Sequence, residues 1–267
     1  MSHNFVISLK KAQSRRQHIN DVFTKANVSF DFFDAIEPSF GFLDKFDLSL
    51  DSKQKVLEEG EIACLLSHFS LWQRAIDEGF DFITIFEDDI YLGENANSFL
   101  SSYDWIPDEC HLIKLEAFKP YRPMLQNKIP LAYNRKLGIL LERHLGGAGY
   151  IISKKLAQDL INYTKHQQAL PALDYLLFDP FFINEVSVFN KVKAPYHIHQ
   201  LQPALCVQDM KLSLFTNDRK PSFSSQIHRE TFSINKKLYS ENKSLKSKLK
   251  QELHKALYRK KDSIDWV

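Results

Sequence analysis

The amino-acid sequence predicts an α/β protein with a mostly parallel, Rossmann-like central sheet and flanking helices. Residues 4–9 have the apolar pattern of a short strand, a helix follows that ends near Ala26, and residues 28–33 alternate as a second strand. Strand, helix, strand is how a parallel sheet usually begins. Apolar residues then recur at helical spacing over 61–78, and the apolar run 82–86 follows directly as a strand.

The later segments continue this alternation. We predict an irregular segment over 39–58, a strand over 111–115, an irregular proline-rich stretch over 120–130, a short strand ending at Ser153, a helix over 154–164 and terminal strands between 192 and 207. The main domain is expected to span 1–215, followed by a linker over 216–234.

The end of the chain differs in charge from the rest. Residues 235–267 carry ten Lys and Arg against four Asp and Glu, or +6, within a total net charge of +2, so the body carries about −4. Leucines recur among the lysines, which predicts a basic amphipathic helix over 235–267. Such a helix either packs on the domain as a solvated element or lies at an anionic membrane surface.

Composition narrows the class of protein. Hydrophobic residues make up 44% of the 267 residues and charged residues 25%, as in ordinary globular proteins, and the eight glycines argue against β-repeat architectures. We expect a cytosolic chain, because no window has the character of a signal peptide or a membrane span. Cys64, Cys110 and Cys206 are far apart and are expected to be reduced core residues.

Three consecutive carboxylates, Glu87, Asp88 and Asp89, follow the strand predicted over 82–86. Adjacent anions repel and are costly to desolvate unless a cation compensates them. Mg²⁺ and Mn²⁺ take oxygen ligands and keep positions for water and substrate phosphates. The triplet, at the sheet edge where α/β proteins bind ligands, therefore indicates a metal-diphosphate site. The alternative is a solvated turn after an edge strand.

Seven blocks of residues share the order and spacing of a known family over about residues 4–210. They are Ile7-Ser8-Leu9 with Arg15 and Arg16; Phe33-Asp34-Ala35-Ile36; Gly60-Glu61-Ile62-Ala63-Cys64-Leu65-Leu66-Ser67-His68; Glu87-Asp88-Asp89; Ile113-Lys114-Leu115-Glu116; Gly149-Tyr150-Ile151-Ile152-Ser153; and Pro171-Ala172-Leu173-Asp174. This pattern resembles glycosyltransferase family 25, the group of bacterial lipooligosaccharide galactosyltransferases that includes the collagen galactosyltransferases. Ala63 departs from it, since the family commonly has glycine there.

The resemblance implies a GT-A type fold, a UDP-sugar donor, Mn²⁺ or Mg²⁺, and inversion at the anomeric carbon. It assigns Asp89 as a metal ligand, Glu87 as a ligand through water, and Asp88 to the ribose or the donor-sugar hydroxyls. Late in the chain, His199 or its neighbour His197 is expected to complete the metal site.

The general base that inversion requires is assigned to Asp174, whose alternative role is to cap a helix beginning at Tyr175. The donor pocket is expected to include Ser8, Leu9, Arg15, Arg16, His68, Lys114, Glu116, Gly147 and Gly149. One of the two arginines is alternatively exposed. His68 and Glu61, two turns apart on one helix, are alternatively a buried hydrogen-bonded pair.

The function expected from this resemblance is transfer of galactose from UDP-galactose to a terminal sugar of lipooligosaccharide, in a β-linkage such as β-1,4, beside the anionic inner membrane. The same scaffold with UDP-glucose or UDP-N-acetylglucosamine is the first alternative, because few hydrogen bonds separate these sugars. A nucleic-acid-binding protein is a remote alternative, since the acidic body lacks interleaved aromatic and basic residues.

Overall fold

The computed structural model describes residues 2–38, 57–119, 121–125, 127–167, 169, 171–214, 222–223 and 260–266. The strands in these ranges are β1 (Asn4–Ser8), β2 (Asp31–Asp34), β3 (Phe82–Glu87), β4 (Ile90–Leu92), β5 (Leu112–Lys114), β6 (Tyr121–Met124), β7 (Ile129–Pro130), β8 (Lys136–Ile139), β9 (Gly149–Ser153), β10 (Ile198–Gln202), β11 (Cys206–Gln208) and β12 (Lys260–Ser263). The helices are α1 (Gln13–Lys25), α2 (Glu59–Asp77), α3 (Ala96–Leu100), α4 (Lys154–Lys165), α5 (Leu173–Phe178) and α6 (Pro180–Phe189), with a 3₁₀ helix over Asp209–Leu214.

An eight-stranded sheet in the order β2-β1-β3-β9-β5-β10-β8-β7 forms the centre of the described structure. Strands β9 and β8 pair antiparallel to both of their neighbours, and the other six strands run in one direction. The predicted α/β class and mostly parallel sheet are therefore confirmed. Because β1, β3 and β5 run the same way, their carboxyl ends lie at one edge of the sheet.

Helix α2 shows why the sequence folds locally as predicted. A capping box begins it, in which the backbone N–H of Glu58 donates to the Glu61 carboxylate at 2.9 Å. Leu65 and Trp72 are fully buried on its inner face. Gly79 follows the helix with φ of +75°, a left-handed conformation that glycine adopts without steric cost.

Two of the predicted boundaries are wrong. The second strand occupies Asp31–Asp34 rather than 28–33, because the backbone N–H of Val28 still donates to the Phe23 carbonyl of α1, at 3.0 Å, and pairing with β1 begins only at Asp31. The stretch 120–130 is not irregular throughout, since it contains β6 and β7. Proline has no N–H to donate to a neighbouring strand. Pro123 is compatible with β6 because β6 belongs to a two-stranded sheet with β12 in the described structure.

The predicted C-terminal helix is wrong at its end. Residues 260–263 form β12, which pairs antiparallel with β6. Ile264 is then fully buried, and the backbone N–H of Ala204 donates to the Asp265 carbonyl at 2.7 Å. Burying Ile264 and pairing a strand stabilise this segment more than a solvated helix would. The rest of the predicted helix, 235–259, lies outside the described residues, as do 39–56 and most of the linker.

Apolar side chains pack on both faces of the sheet. Helices α2, α4 and α5 cover one face, on residues such as Ile83, Ile85 and Ile152, and α1 and α3 cover the other, on residues such as Val6, Phe86 and Ile151. None of the helices in the described ranges combines the length and apolar character needed to cross a bilayer. The three cysteines are free thiols; Cys110 and Cys206 are buried as expected, whereas Cys64 is partly exposed.

Candidate functional site

Five carboxylates lie within electrostatic range of one another at the carboxyl edge of β1, β3 and β5. Glu87 ends β3 and the other two residues of the triplet follow it, Glu116 follows β5, and Asp174 is the second residue of α5. Among the described residues, the cations that contact or face them are Arg15 and Lys114, so the fully ionised cluster has five negative charges against two positive ones, a formal charge of −3. The fold thus places the predicted acidic residues in one excess-negative cluster, which we call the acidic site.

Asp88 is held by the first βα unit of the chain. Ser8 Oγ, at the end of β1, donates to Asp88 Oδ2 at 2.6 Å, and Arg15 Nη1, from the first turn of α1, donates to Asp88 Oδ1 at 2.6 Å. Asp88 is 8% exposed. Charge-assisted hydrogen bonds of this length fix the orientation of its carboxylate.

Asp89 is buried with weaker compensation. Its carboxylate lies 3.6 Å from Arg15 Nη1, which is closer to Asp88, and 3.5 Å from Gln208 Nε2. Burial raises the pKa of Asp89 to about 6, against the lowering effect of Arg15. Burial and then the neighbouring carboxylates also raise the pKa of Glu87. The site therefore favours any added positive charge.

Glu116 and Lys114 form a fully buried ion pair beside the triplet. Lys114 Nζ donates to Glu116 Oε2 at 2.9 Å and to the carbonyl of Gly146, and lies 4.0 Å from the centre of the Phe178 ring. The backbone N–H of Ala148 also donates to Glu116 Oε2, at 3.2 Å, whereas Oε1 is buried with no hydrogen-bond partner. An orphaned carboxylate oxygen is costly without a ligand.

Asp174 faces the same cluster from α5. The backbone N–H of Gly146 donates weakly to Asp174 Oδ2, at 3.4 Å. Burial raises the pKa of Asp174, opposed by this hydrogen bond and by Lys114. Residue Ala172, not Asp174, is the N-cap of α5, so the alternative capping role does not describe this side chain.

Two of the glycines before and in β9 border the acidic site, and a third packs inside the sheet. Gly146 has φ of +92°, and a Cβ there would lie 2.6 Å from Glu116 Oε2, so this position requires glycine. A Cβ on Gly147 would lie 3.9 Å from Glu87 Oε1, at the acidic site. A Cβ on Gly149 would lie 2.3 Å from Cys206 Sγ, so Gly149 serves the packing of β9 in the sheet.

Several predicted site residues lie elsewhere. His199 and Gln200 are successive in β10 and so face opposite sides of the sheet, and it is Gln200 that contacts the backbone carbonyls of Lys114 and Glu116. The charged groups near His199 are His197, Glu109 and His111. The structure therefore does not bring His199 to the acidic site. His197 precedes β10.

Arg16 and Glu61 also stay apart from the acidic site. Arg16 pairs with Asp34 and donates to the carbonyls of Ser8 and Leu9, so it fixes the turn after β1. Glu61 belongs to the capping box of α2, which means that it does not pair with His68. His68 is fully buried under the triplet, with its Nδ1 2.7 Å from Tyr150 Oη.

Gln208 is the main site residue that the sequence analysis missed. Its Nε2 donates to Glu87 Oε2 at 2.9 Å and reaches Asp89 Oδ1 at 3.5 Å, so it joins two carboxylates of the triplet. The next residue, Asp209, donates its backbone N–H to the Asp89 carbonyl at 2.7 Å. No local motif marks Gln208, and only the antiparallel pairing of β11 with β4 places it there.

Comparison with known proteins now identifies the family. The sequence matches the family model described as glycosyltransferase family 25 (LPS biosynthesis protein) over residues 1–177. This chain belongs to glycosyltransferase family 25. The matched residues contain the acidic triplet, Glu116 and Asp174, so the acidic site lies within the family's shared region.

Relatives in this family share most of their length with the chain. A putative glycosyltransferase of Haemophilus influenzae is 38% identical over 79% of this chain and 71% of the relative. The lipooligosaccharide biosynthesis protein lex-1 of the same species is 33% identical over 97% and 92%. The lacto-N-neotetraose biosynthesis glycosyltransferase LgtB of Neisseria meningitidis serogroup B is 32% identical over 85% and 82%. This family 25 chain is a glycosyltransferase of lipopolysaccharide or lipooligosaccharide biosynthesis.

Proposed function

We propose that this family 25 enzyme has a GT-A type fold and transfers galactose from UDP-galactose to a terminal sugar of lipooligosaccharide. The transfer inverts the anomeric centre and forms a β-linkage, for which we propose β-1,4. The observation that carries the proposal is the formal excess of three negative charges at the carboxyl edge of the sheet. A buried excess of negative charge supports binding of a divalent cation, and a bound cation would in turn favour a diphosphate.

The donor set at the acidic site fits Mn²⁺ or Mg²⁺. Asp89 is loosely compensated by Arg15 at 3.6 Å and Gln208 at 3.5 Å, Glu87 accepts from Gln208, and both carboxylates offer only oxygen, as hard divalent cations prefer. Asp89 would hold the ion directly and Glu87 through water. Bound there, the metal supplies Lewis-acid stabilisation of the charge that develops on the departing UDP.

Arg15 and Asp88 are proposed to orient the donor. Arg15 Nη1 now spans Asp88 and Asp89, at 2.6 Å and 3.6 Å, in the first turn of the helix that follows β1. A guanidinium in this place matches phosphate oxygens as well as carboxylates. Once the diphosphate takes part of its hydrogen bonding, Asp88, still fixed by Ser8, can accept from a ribose or sugar hydroxyl.

Asp174 is proposed as the general base. It is partly exposed, unlike Glu116, and burial raises its pKa toward the range in which a carboxylate accepts a proton efficiently near neutral pH. In the transfer, the acceptor hydroxyl oxygen forms the new bond to the anomeric carbon as the bond to the UDP oxygen breaks. The hydroxyl proton passes to the Asp174 carboxylate.

The basic end of the chain supports a membrane location for the acceptor reaction. The surplus of six positive charges over 235–267 would be attracted to an anionic leaflet, at about 1 kcal/mol for each Lys or Arg near the surface. We propose peripheral association with the inner membrane on the cytoplasmic side. Replacing Lys243, Lys246, Lys248 and Lys250 by Gln should reduce sedimentation with anionic vesicles and leave hydrolysis of a soluble donor unchanged. Equal vesicle binding would contradict this location.

The donor and the linkage are tested together. UDP release is measured with UDP-galactose, UDP-glucose and UDP-N-acetylglucosamine in Mn²⁺, on a soluble oligosaccharide acceptor, and the product is analysed by NMR. We expect preferred turnover of UDP-galactose and a β-anomeric coupling in the product. A preference for another donor would contradict the assignment of galactose as the transferred sugar. An α-linked product would contradict the inverting mechanism and the role of Asp174 as its general base.

A further inference from the structure

A second set of potential metal ligands lies beneath the acidic triplet. Cys64 and His68 are four residues apart on α2, so they share a face of that helix, and Glu87 ends β3 next to them. One ligand atom from each of the three side chains lies within 4.8 Å of the other two. Among the described residues, no other group of three or more His, Cys, Asp and Glu side chains brings its ligand atoms so close together.

His68 shows that this set is incomplete as it stands. The side chain is fully buried, yet its Nε2 has no hydrogen-bond partner. A buried polar atom without a partner is unfavourable, because it loses its hydrogen bonds to water and gains none in the protein. The unpartnered nitrogen belongs to the side chain that converges with Cys64 and Glu87, so a cation bound through Nε2 would give this atom the partner that it lacks.

The other nitrogen of the His68 ring is already oriented as in metal sites. Nδ1 lies 2.7 Å from Tyr150 Oη, which also accepts from Trp72 Nε1 at 2.9 Å. When His68 Nδ1–H donates to Tyr150, the lone pair of Nε2 is free for a cation. Metal-bound histidines commonly use their second nitrogen in this way, and the partner fixes the ring and its tautomer.

We propose that Cys64, His68 and Glu87 bind a borderline-soft divalent cation of the Zn²⁺ type, at a site that shares Glu87, but not Asp89, with the proposed Mn²⁺ site. Thiolate, imidazole and carboxylate are the ligands of three-residue zinc sites that keep a fourth position open. The thiol proton is released to solvent when the ion binds. Cys64 and Glu87 are both partly exposed, which gives the ion and a water ligand access.

Occupancy of this site has a consequence that rests on the proposed function. Glu87 also contacts Gln208 and faces the acidic site, so a zinc ion that holds Glu87 removes it from the set that receives the Mn²⁺. We expect Zn²⁺ to inhibit Mn²⁺-dependent turnover. The site itself is tested without any sugar nucleotide, so that failure of one hypothesis is distinguished from failure of the other.

The test is a Co²⁺ titration of the metal-free, reduced full chain, followed by absorption spectroscopy. We expect one equivalent of Co²⁺ to produce a near-ultraviolet thiolate-to-cobalt band that Zn²⁺ bleaches. The band should be lost in Cys64→Ser and kept in the matched control Cys110→Ala, since Cys110 is buried in the other core cluster. Absence of the band in the wild type, or its persistence in Cys64→Ser, overturns the proposal.

A second measurement on the wild-type chain does not depend on how the variants fold. Alkylation of Cys64 by iodoacetamide is followed by mass spectrometry with and without Zn²⁺. We expect Zn²⁺ to slow modification of Cys64 at least about tenfold, because a metal-bound thiolate is shielded and less nucleophilic. An unchanged rate contradicts the proposed site.

Discussion

Two buried aspartates of this glycosyltransferase have similar exposure and opposite surroundings. Asp179 is 2% exposed, and its carboxylate accepts from Arg143 Nε at 2.8 Å and from the backbone N–H of Phe181 at 3.0 Å, which caps α6. Asp89 is 5% exposed but shares Arg15 with Asp88 and meets Gln208 only at 3.5 Å. Asp179 therefore has a cation and a hydrogen-bond donor at short distance, whereas Asp89 has neither among the described residues.

Burial of a carboxylate does not by itself indicate a functional site. A functional site is better indicated by the number of cations and hydrogen-bond donors that are available to each buried carboxylate. At Asp179 one cation and one backbone donor serve one carboxylate. At the acidic site, the described residues supply two cations to compensate five carboxylates. Variants of the two regions should therefore separate catalysis from stability.

The largest effect is expected from Asp174→Asn. The amide keeps the shape of the side chain but cannot accept the proton of the attacking hydroxyl, so kcat should fall about 10²–10⁴-fold. The KM for the donor should stay within a factor of about three, because Asp174 does not bind the diphosphate in the proposed mechanism. Steady-state kinetics with Asp81→Asn as a control checks this, since Asp81 has a highly exposed side chain. Equal kcat in both variants would remove Asp174 from the reaction.

A loss of stability is expected instead from Asp179→Ala. The change removes an N-cap and leaves the Arg143 guanidinium without its buried partner, at a cost of about 2–4 kcal/mol in the free energy of unfolding. The Asp89→Asn variant, by contrast, should not be less stable than the wild type at pH 7, because the substitution removes one negative charge from a cluster with excess negative charge. Urea denaturation followed by circular dichroism measures both variants. A larger loss for Asp89→Asn than for Asp179→Ala would reverse the comparison.

A smaller effect is expected from pH in the absence of metal. The pKa of Asp89 is about 6 in the folded protein and near 3.8 when unfolded, so the folded state holds the proton more strongly. Its contribution to stability is full below about pH 4 and is lost as the pH rises through about 6. The loss amounts to about 1–3 kcal/mol.

The pH effect is measured as the difference between wild type and Asp89→Asn, by urea titrations from pH 4.5 to 7.5. The wild type should become less stable than the variant as the pH rises. Parallel pH profiles for the two proteins would show that Asp89 ionises without cost, contrary to the uncompensated burial described above.

The sequence predicted the local parts of this fold and the core of the site. Helix α2, strand β3 and the strand-end triplet follow from apolar spacing within one short segment, and Asp174 and Glu116 from the family pattern. The structure brings these carboxylates together as that pattern implies, but their roles in the reaction stay predictions. The signals involved are local and repeat with the period of a helix or strand.

The parts that were missed depend on contacts between distant residues. Gln208 reaches the triplet only because β11 pairs with β4, and β12 pairs with β6 across more than a hundred residues. The metal-ligand assignment of His199 depended on which face of β10 it occupies, which is fixed by the register with β5. Periodicity within a segment carries no information on such pairings.

The most direct test of the account is Mn²⁺-dependent UDP release from UDP-galactose, measured for wild type, Asp89→Asn and the control Asp81→Asn. EDTA should abolish wild-type turnover, and Mn²⁺ should restore it. Asp89→Asn should lose about 10²–10³-fold in kcat, while Asp81→Asn should keep full activity. Turnover that is insensitive to EDTA, or an Asp89→Asn variant as active as the wild type, would contradict the acidic site as a metal-diphosphate centre.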